Sequence, residues 1–159
     1  VSFQLTKRNH NLNSSYGAIE AELIAKEITK PSLKDISDAV IAVRKSKLPD
    51  PKEIGNSGSF FKNPVIPKSE FIELQKEYPK APSYNVSKTE VKVPAGWLIE
   101  QAGFKGKRFG ECGVYEKQAL VLVNYGNASG KEIYNLAQKI QETVMQKFGI
   151  SLEIEVNII

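Results

Sequence analysis

Apolar residues recur at helical spacing in two long stretches of the chain. In "PSLKDISDAVIAVRKSK", Leu33, Ile36, Val40 and Val43 form one stripe, and Ser32 with Asp35 three residues on reads as an N-cap. The run stops at Leu48-Pro49-Asp50-Pro51, because proline cannot continue a helix. "KEIYNLAQKIQETVMQKF" puts Ile133, Leu136, Ile140, Val144 and Phe148 in register, with Gly149 as C-cap. Shorter helices are expected in "EFIELQKEY", capped by Ser69 with Phe71, Leu74 and Tyr78 on one face, and in "AGWLIEQAG", closed by Gly103. "AIEAELIAKEIT" fits a short helix or an irregular segment.

A period of two marks the strands. "VSFQLTKR" and the terminal "ISLEIEVNII" alternate apolar and polar residues, "EVKV" is a short strand, and "QALVLV" is a buried one. "NHNLNSSYG", "PDPKEIGNSG" and "NYGNASG" are polar and turn-rich, and read as loops. Helices and strands mix without regular βαβ alternation, so the expected class is α+β, with a mixed, mainly antiparallel sheet packed against helices. The boundary after Leu48 separates residues 1–48 from 49–149, and residues 150–159 form a returning strand.

Composition narrows the function classes. Two-fifths hydrophobic and one-quarter charged residues are ordinary for a globular chain of 159. No apolar run approaches a membrane span, and no signal peptide is visible. The single cysteine, Cys112, cannot pair internally, which favours a reducing, cytoplasmic compartment. With His10 as the other soft ligand, no metal site is expected. The net charge of +4 is scattered lysine with only Arg8, Arg44 and Arg108, which argues against nucleic acid and suits a small anion such as a diphosphate. The opening strand, already under way at Val1 without a methionine, suggests a piece of a longer chain.

Familiar catalytic motifs are missing. No G-x-G pair occurs, so a dinucleotide loop is excluded, and "GNASGKE" has Walker A residues at the wrong spacing. "GNSGS" misses G-x-S-x-G at its last position, and His10, in a polar loop, is the sole imidazole base. Cys112 reads as a packing residue. Ser59 is different. A serine hydroxyl is a poor acid and donates only to a strongly basic partner such as a carbanion or enolate. Next to Phe60 and Phe61 it could serve one face of such an intermediate, or it could simply bond the backbone of its own turn. Glu155 shares the parity of Glu153 along "LEIEV", and local chemistry gives it no more than a place facing water.

"GNSGSFFKNP", "KLPDP", "AGWLIEQAGFKG", "QALVLVN" and "LEIEV", in this order and spacing, resemble the UDP-N-acetylenolpyruvoylglucosamine reductase family, from about Tyr16 to the last residue. The match is to the C-terminal, substrate-binding half. The resemblance implies a flavoenzyme in which NADPH reduces FAD, and the flavin passes hydride to the enolpyruvyl group of UDP-N-acetylglucosamine enolpyruvate. Ser59 matches the serine that protonates the resulting carbanion, and Glu155 the glutamate that assists. The family's catalytic arginine lies in the flavin-binding part and has no counterpart here.

The same resemblance assigns substrate contacts. Tyr16 matches the lid tyrosine of the first structural class, Lys47 a diphosphate lysine, and Asn63, Lys105 and Gln118 further ligands. Arg44 matches a family arginine without an assigned role. The segment from Tyr16 to Lys47 is a few residues longer than usual, and "LEIEVNII" lacks the proline and arginine often found around the glutamate. The implied parent is monomeric, binding neither nucleic acid nor membrane. The isolated piece would hold no cofactor, be inactive, expose the apolar residues of both ends, and be able to self-associate. The alternative is a stand-alone nucleotide-sugar binding module without redox activity.

Overall fold

The computed structural model describes residues 1–15 and 17–159. They form two compact units, residues 1–47 and 48–159. In the first, α1 (Gly17–Ala25) packs against α2 (Leu33–Lys47). Ser32 caps α2 as its sequence suggests: its Oγ accepts from Asp35 N–H at 3.3 Å, while its own backbone N–H and hydroxyl donate to Asp35 Oδ2, at 2.8 and 2.6 Å. Those bonds hold the Asp35 carboxyl below its ordinary pKa. The stripe itself is thinner than expected, since Ala39 is buried whereas Leu33 is exposed.

The opening alternation misleads. Residues 1–8 form no strand, and Val1, Phe3 and Leu5 are exposed. A period of two supplies two faces but no neighbour, and the backbone groups of a strand need a ladder partner. No such partner is found among the described residues.

The second unit is built on two antiparallel sheets. β1 (Gly55–Ser59), β5 (Arg108–Phe109), β6 (Cys112–Val114) and β7 (Val121–Asn124) form a sheet in the order β1-β7-β6-β5. β2 (Val65–Pro67), β3 (Tyr84–Asn85) and β4 (Glu90–Lys92) form the second, in the order β2-β4-β3. Around them lie α3 (Lys68–Glu77), α4 (Ala95–Gln101) and α5 (Gly130–Phe148). The α+β class holds. α3 starts one residue before Ser69, with Pro67 at the N-cap and no side-chain cap, because a proline pre-sets the entry φ. "GNSGS", expected as part of a turn, is a strand.

α5 organises the core. Ser129 and Glu132 make a reciprocal capping box, and Gly149 closes the helix at φ 68°, where a side chain would be strained. Leu136, Ala137, Ile140 and Val144 face inward and meet Leu98, Ile99, Val114, Phe61 and Leu152 in one cluster. At its C-terminal end the rings of Tyr78, Trp97 and Phe148 stand 5.3 to 6.0 Å apart, fastening α3 and α4 to α5. Residues 150–159, expected as a returning strand with its apolar side chains exposed or paired with another copy, instead put Ile150 and Leu152 into this core; of its apolar side chains, Ile158 and Ile159 are strongly exposed. Among the described residues a single bridge, Phe61 to Ile154, is all the strand pairing the segment makes.

The cap carries a pH signature. Bonds from Ser129 lower the Glu132 pKa, so its contribution is complete above the ordinary glutamate range and is lost as pH falls through the depressed value. Ser129→Ala is expected to lower the melting temperature by about 3 °C at neutral pH. The difference from the parent protein should shrink toward pH 3. Thermal melts of both proteins across that range check it, and a pH-independent difference would remove the carboxylate from the cap.

Candidate functional site

The site begins at an irregularity in β1. Asn56 pairs with Val123 and Ser59 with Val121, so β1 carries one residue more than β7 between these points. This is a β-bulge, a device that re-aims the side chains after it. Gly58 makes it possible, with φ at +75°, and its N–H donates to Asn56 Oδ1 at 3.1 Å. Asn56 Nδ2 in turn donates to the Ile54 carbonyl at 2.9 Å. The bend is thus closed by Asn56. Ser59 is exposed, and its hydroxyl makes no hydrogen bond among the described residues.

The chain then runs between two neighbours. Phe60 N–H donates to the Leu120 carbonyl at 2.8 Å, while the Phe60 carbonyl accepts from Glu155 N–H at 2.9 Å. Two residues on, Lys62 N–H donates to the Glu153 carbonyl at 2.9 Å, and the two side chains form an ion pair. Phe60 and Phe61 are 4% and 1% exposed, each burial being worth about 2–3 kcal/mol. The backbones of Ser59 and Glu155 therefore lie one residue apart across this pairing. Glu155 and Glu153 are both exposed while Leu152 is buried and Ile154 and Val156 are partly so, the alternation the sequence implied.

A second cluster gathers at the first turn of α4. Asn63 Oδ1 accepts from Ala95 N–H at 2.8 Å, satisfying an N–H that the helix leaves open. Gln118 Oε1 accepts from Leu120 N–H at 3.3 Å, and lies 3.1 Å from where a Cβ on Gly96 would stand. Asn63, from before α4 in sequence, and Gln118, from after it, thus meet the same turn. Lys105 follows α4 and pairs with Glu100 at 2.9 Å, about five residues or 8 Å along the helix from that turn.

In the first unit, Arg44 and Lys47 are exposed in the last turn of α2, where cations complement the helix dipole. Tyr16 lies outside the described residues. His10 is exposed, its ring nitrogen 3.1 Å from the Thr6 hydroxyl. Cys112 is buried, and burial, with Glu132 beside it, pushes its thiol pKa up. That thiol is a poor nucleophile. No cluster of His, Cys, Asp and Glu able to hold a metal is present among the described residues.

Sequence reasoning missed two residues. The register of the smaller sheet sets Val65, Lys92 and Tyr84 in one exposed row, and Val93 N–H donates to the Pro64 carbonyl next to Asn63. Lys92 has no ion-pair partner among the described residues. A free ammonium and a phenol in one row suit an anion such as a phosphate. The alternation of "EVKV" gave Lys92 its outward direction; the two-residue strand holding Tyr84 had no readable period.

Comparison with known proteins gives the family. The family model described as "UDP-N-acetylenolpyruvoylglucosamine reductase, C-terminal domain" matches residues 50–159. The UDP-N-acetylenolpyruvoylglucosamine reductase of Flavobacterium johnsoniae is 64% identical over the whole chain, which covers 47% of that protein. Its namesake in Chromobacterium violaceum is 48% identical over 98% of the chain and 45% of its own length. A crystal structure of the Thermus caldophilus UDP-N-acetylenolpyruvylglucosamine reductase aligns with 83% of the chain and 34% of its own, at TM-score 0.47 and 23% identity. The chain spans about half the length of the curated relatives it matches. It belongs to the UDP-N-acetylenolpyruvoylglucosamine reductase family and carries that family's C-terminal domain.

Proposed function

We propose that residues 1–159 are the substrate-binding part of a cytoplasmic reductase that converts UDP-N-acetylglucosamine enolpyruvate to UDP-N-acetylmuramate for peptidoglycan. FAD and NADPH are its cofactors. The observation that supports this most is the placement of Ser59 at a bulged strand end, one residue across from Glu155. Both are exposed, which leaves room for a planar group against them.

A flavin, when bound, supplies hydride to one carbon of the enolpyruvyl double bond. The electron pair of that bond moves to the neighbouring carbon and into the carboxylate, giving an enolate-like carbanion. Ser59 Oγ–H protonates that carbon, and the alkoxide regains a proton from water. A hydroxyl with no competing hydrogen bond is free to aim at the carbanion. Glu155 orients the proton or steadies the enol. Lys92, Tyr84 and Lys105 supply positive charge and a phenol for the diphosphate; by family resemblance Lys47 is a diphosphate lysine and Tyr16 the lid tyrosine, with no role assigned to Arg44. Asn63 and Gln118 each use one oxygen on the backbone, leaving their amide N–H groups for uracil or sugar.

In the full-length reductase, Ser59→Ala is expected to leave flavin reduction by NADPH intact. Reoxidation of the reduced flavin by substrate should slow at least ~10²-fold. Stopped-flow absorbance of the two half-reactions measures this, and normal reoxidation would remove Ser59 as the donor. Asn63 separates structure from binding. Asn63→Ala should cost about 1 kcal/mol by uncapping Ala95 N–H, whereas Asn63→Asp keeps the acceptor and the melting temperature. Both should weaken calorimetric titration with UDP-N-acetylglucosamine; unchanged binding by Asn63→Asp would place the amide outside the ligand site.

A further inference from the structure

The segment that carries Glu155 is held by few bonds. From residue 150 onward it belongs to no helix and makes one bridge, and beyond Val156 the side chains are exposed. Three backbone groups of the segment matter for where Glu155 sits. Glu155 N–H bonds the Phe60 carbonyl, the Glu153 carbonyl bonds Lys62 N–H, and the Leu152 carbonyl accepts from Gln141 Nε2 at 2.7 Å. The first two tie the segment to the strand that presents Ser59. The third ties it to α5.

We infer that Gln141 is a positioning residue for Glu155, with the Lys62–Glu153 ion pair as a weaker second anchor. Gln141 stands in the middle of α5, flanked by the fully buried Ile140 and Val144, so its backbone is a rigid post. Leu152 is itself buried, and among the described residues its carbonyl has no ladder partner to replace a lost side-chain donor. Losing the bond therefore loosens the segment three residues before Glu155. The Lys62–Glu153 side chains are both more than half exposed, and an ion pair so well solvated contributes little. Glu155 itself touches neither anchor in this scheme. Gln141 acts through the path of the backbone, and a carboxylate displaced by a fraction of an ångström loses its alignment with the reacting carbon.

This inference rests on the proposed roles of Ser59 and Glu155, and its test separates the two. In the full-length reductase without substrate, Gln141→Met keeps the shape and removes the donor. Amide exchange at Lys62 and Glu155 should speed up about 5-fold or more, while amides of β7 remain unchanged. Substrate-driven flavin reoxidation should slow about 10-fold with KM changed less than 2-fold, and NADPH-driven reduction should be unaffected. Gln141→Lys, which restores a donor of similar reach, should recover both readouts. Unchanged exchange at Glu155 overturns the anchoring whatever the activity. Faster exchange with normal reoxidation overturns the link to chemistry, provided Glu155→Gln in the same assay is slow. If Glu155→Gln is also normal, the proposed role of Glu155 falls, and the positioning role with it.

Discussion

Phe60 bonds in both directions at once, and the candidate chemistry hangs on that. Its N–H goes to Leu120 and its carbonyl to Glu155, so a single residue joins the main sheet to the chain's last segment. Its ring is buried, which prevents this residue from rotating without opening the core. Ser59 precedes it and Glu155 is its backbone partner. Two groups almost a hundred positions apart in sequence are thereby referred to one buried aromatic. Neither needs a contact with the other to be placed, and both keep their side chains free of structural bonds.

The first turn of α4 solves a related problem differently. A helix of seven residues cannot be stable alone, and its open N–H groups need partners. Pro94 and Gly96 offer none from their side chains, so Asn63 reaches in from 32 residues away and Gln118 packs against Gly96. Each amide does structural work with its oxygen and retains two N–H donors. The aromatic trio of Tyr78, Trp97 and Phe148 then fixes α4 to α5, the same helix that anchors Leu152 through Gln141. α5 thus sets the position of both clusters without contributing a residue to either.

What could be read from the sequence follows from how each element is stabilised. α2 and α5 were legible because their local signals are strong, in Ser32, Gly149, the prolines after Leu48 and the apolar register of α5, whereas the Ser129 cap was not read. β1 was not, since Gly55, Asn56, Ser57 and Gly58 are turn formers that become a strand only because β7 pairs with them. Residues 1–8 failed in the opposite sense, with a strand's alternation and no partner. The candidate residues Ser59, Asn63, Lys105, Gln118 and Glu155 came from motif resemblance, while their relation to one another came from pairings across 32 to 95 residues that no local pattern encodes. Lys92 and Tyr84 show the same limit: their common row exists only in the register of β3 with β4.

Exposure is what gives the site its character. In water, a carbanion next to a serine hydroxyl would take its proton from any solvent molecule, and the position of Ser59 would decide nothing. A fixed donor matters only where it is the nearest proton, which requires the reacting face to be covered. On the proposed reading, substrate and flavin provide that cover together, and the bulge at Gly58 sets the direction from which the proton arrives. The exposed Ser59 and Glu155 are then half of a surface whose dielectric is completed by what lies on it. Rigidity must come first, because a donor that wanders under such a lid delivers to either face. That requirement fits the burial of the residues around the two polar groups, Phe60, Phe61, Leu152 and Ile150.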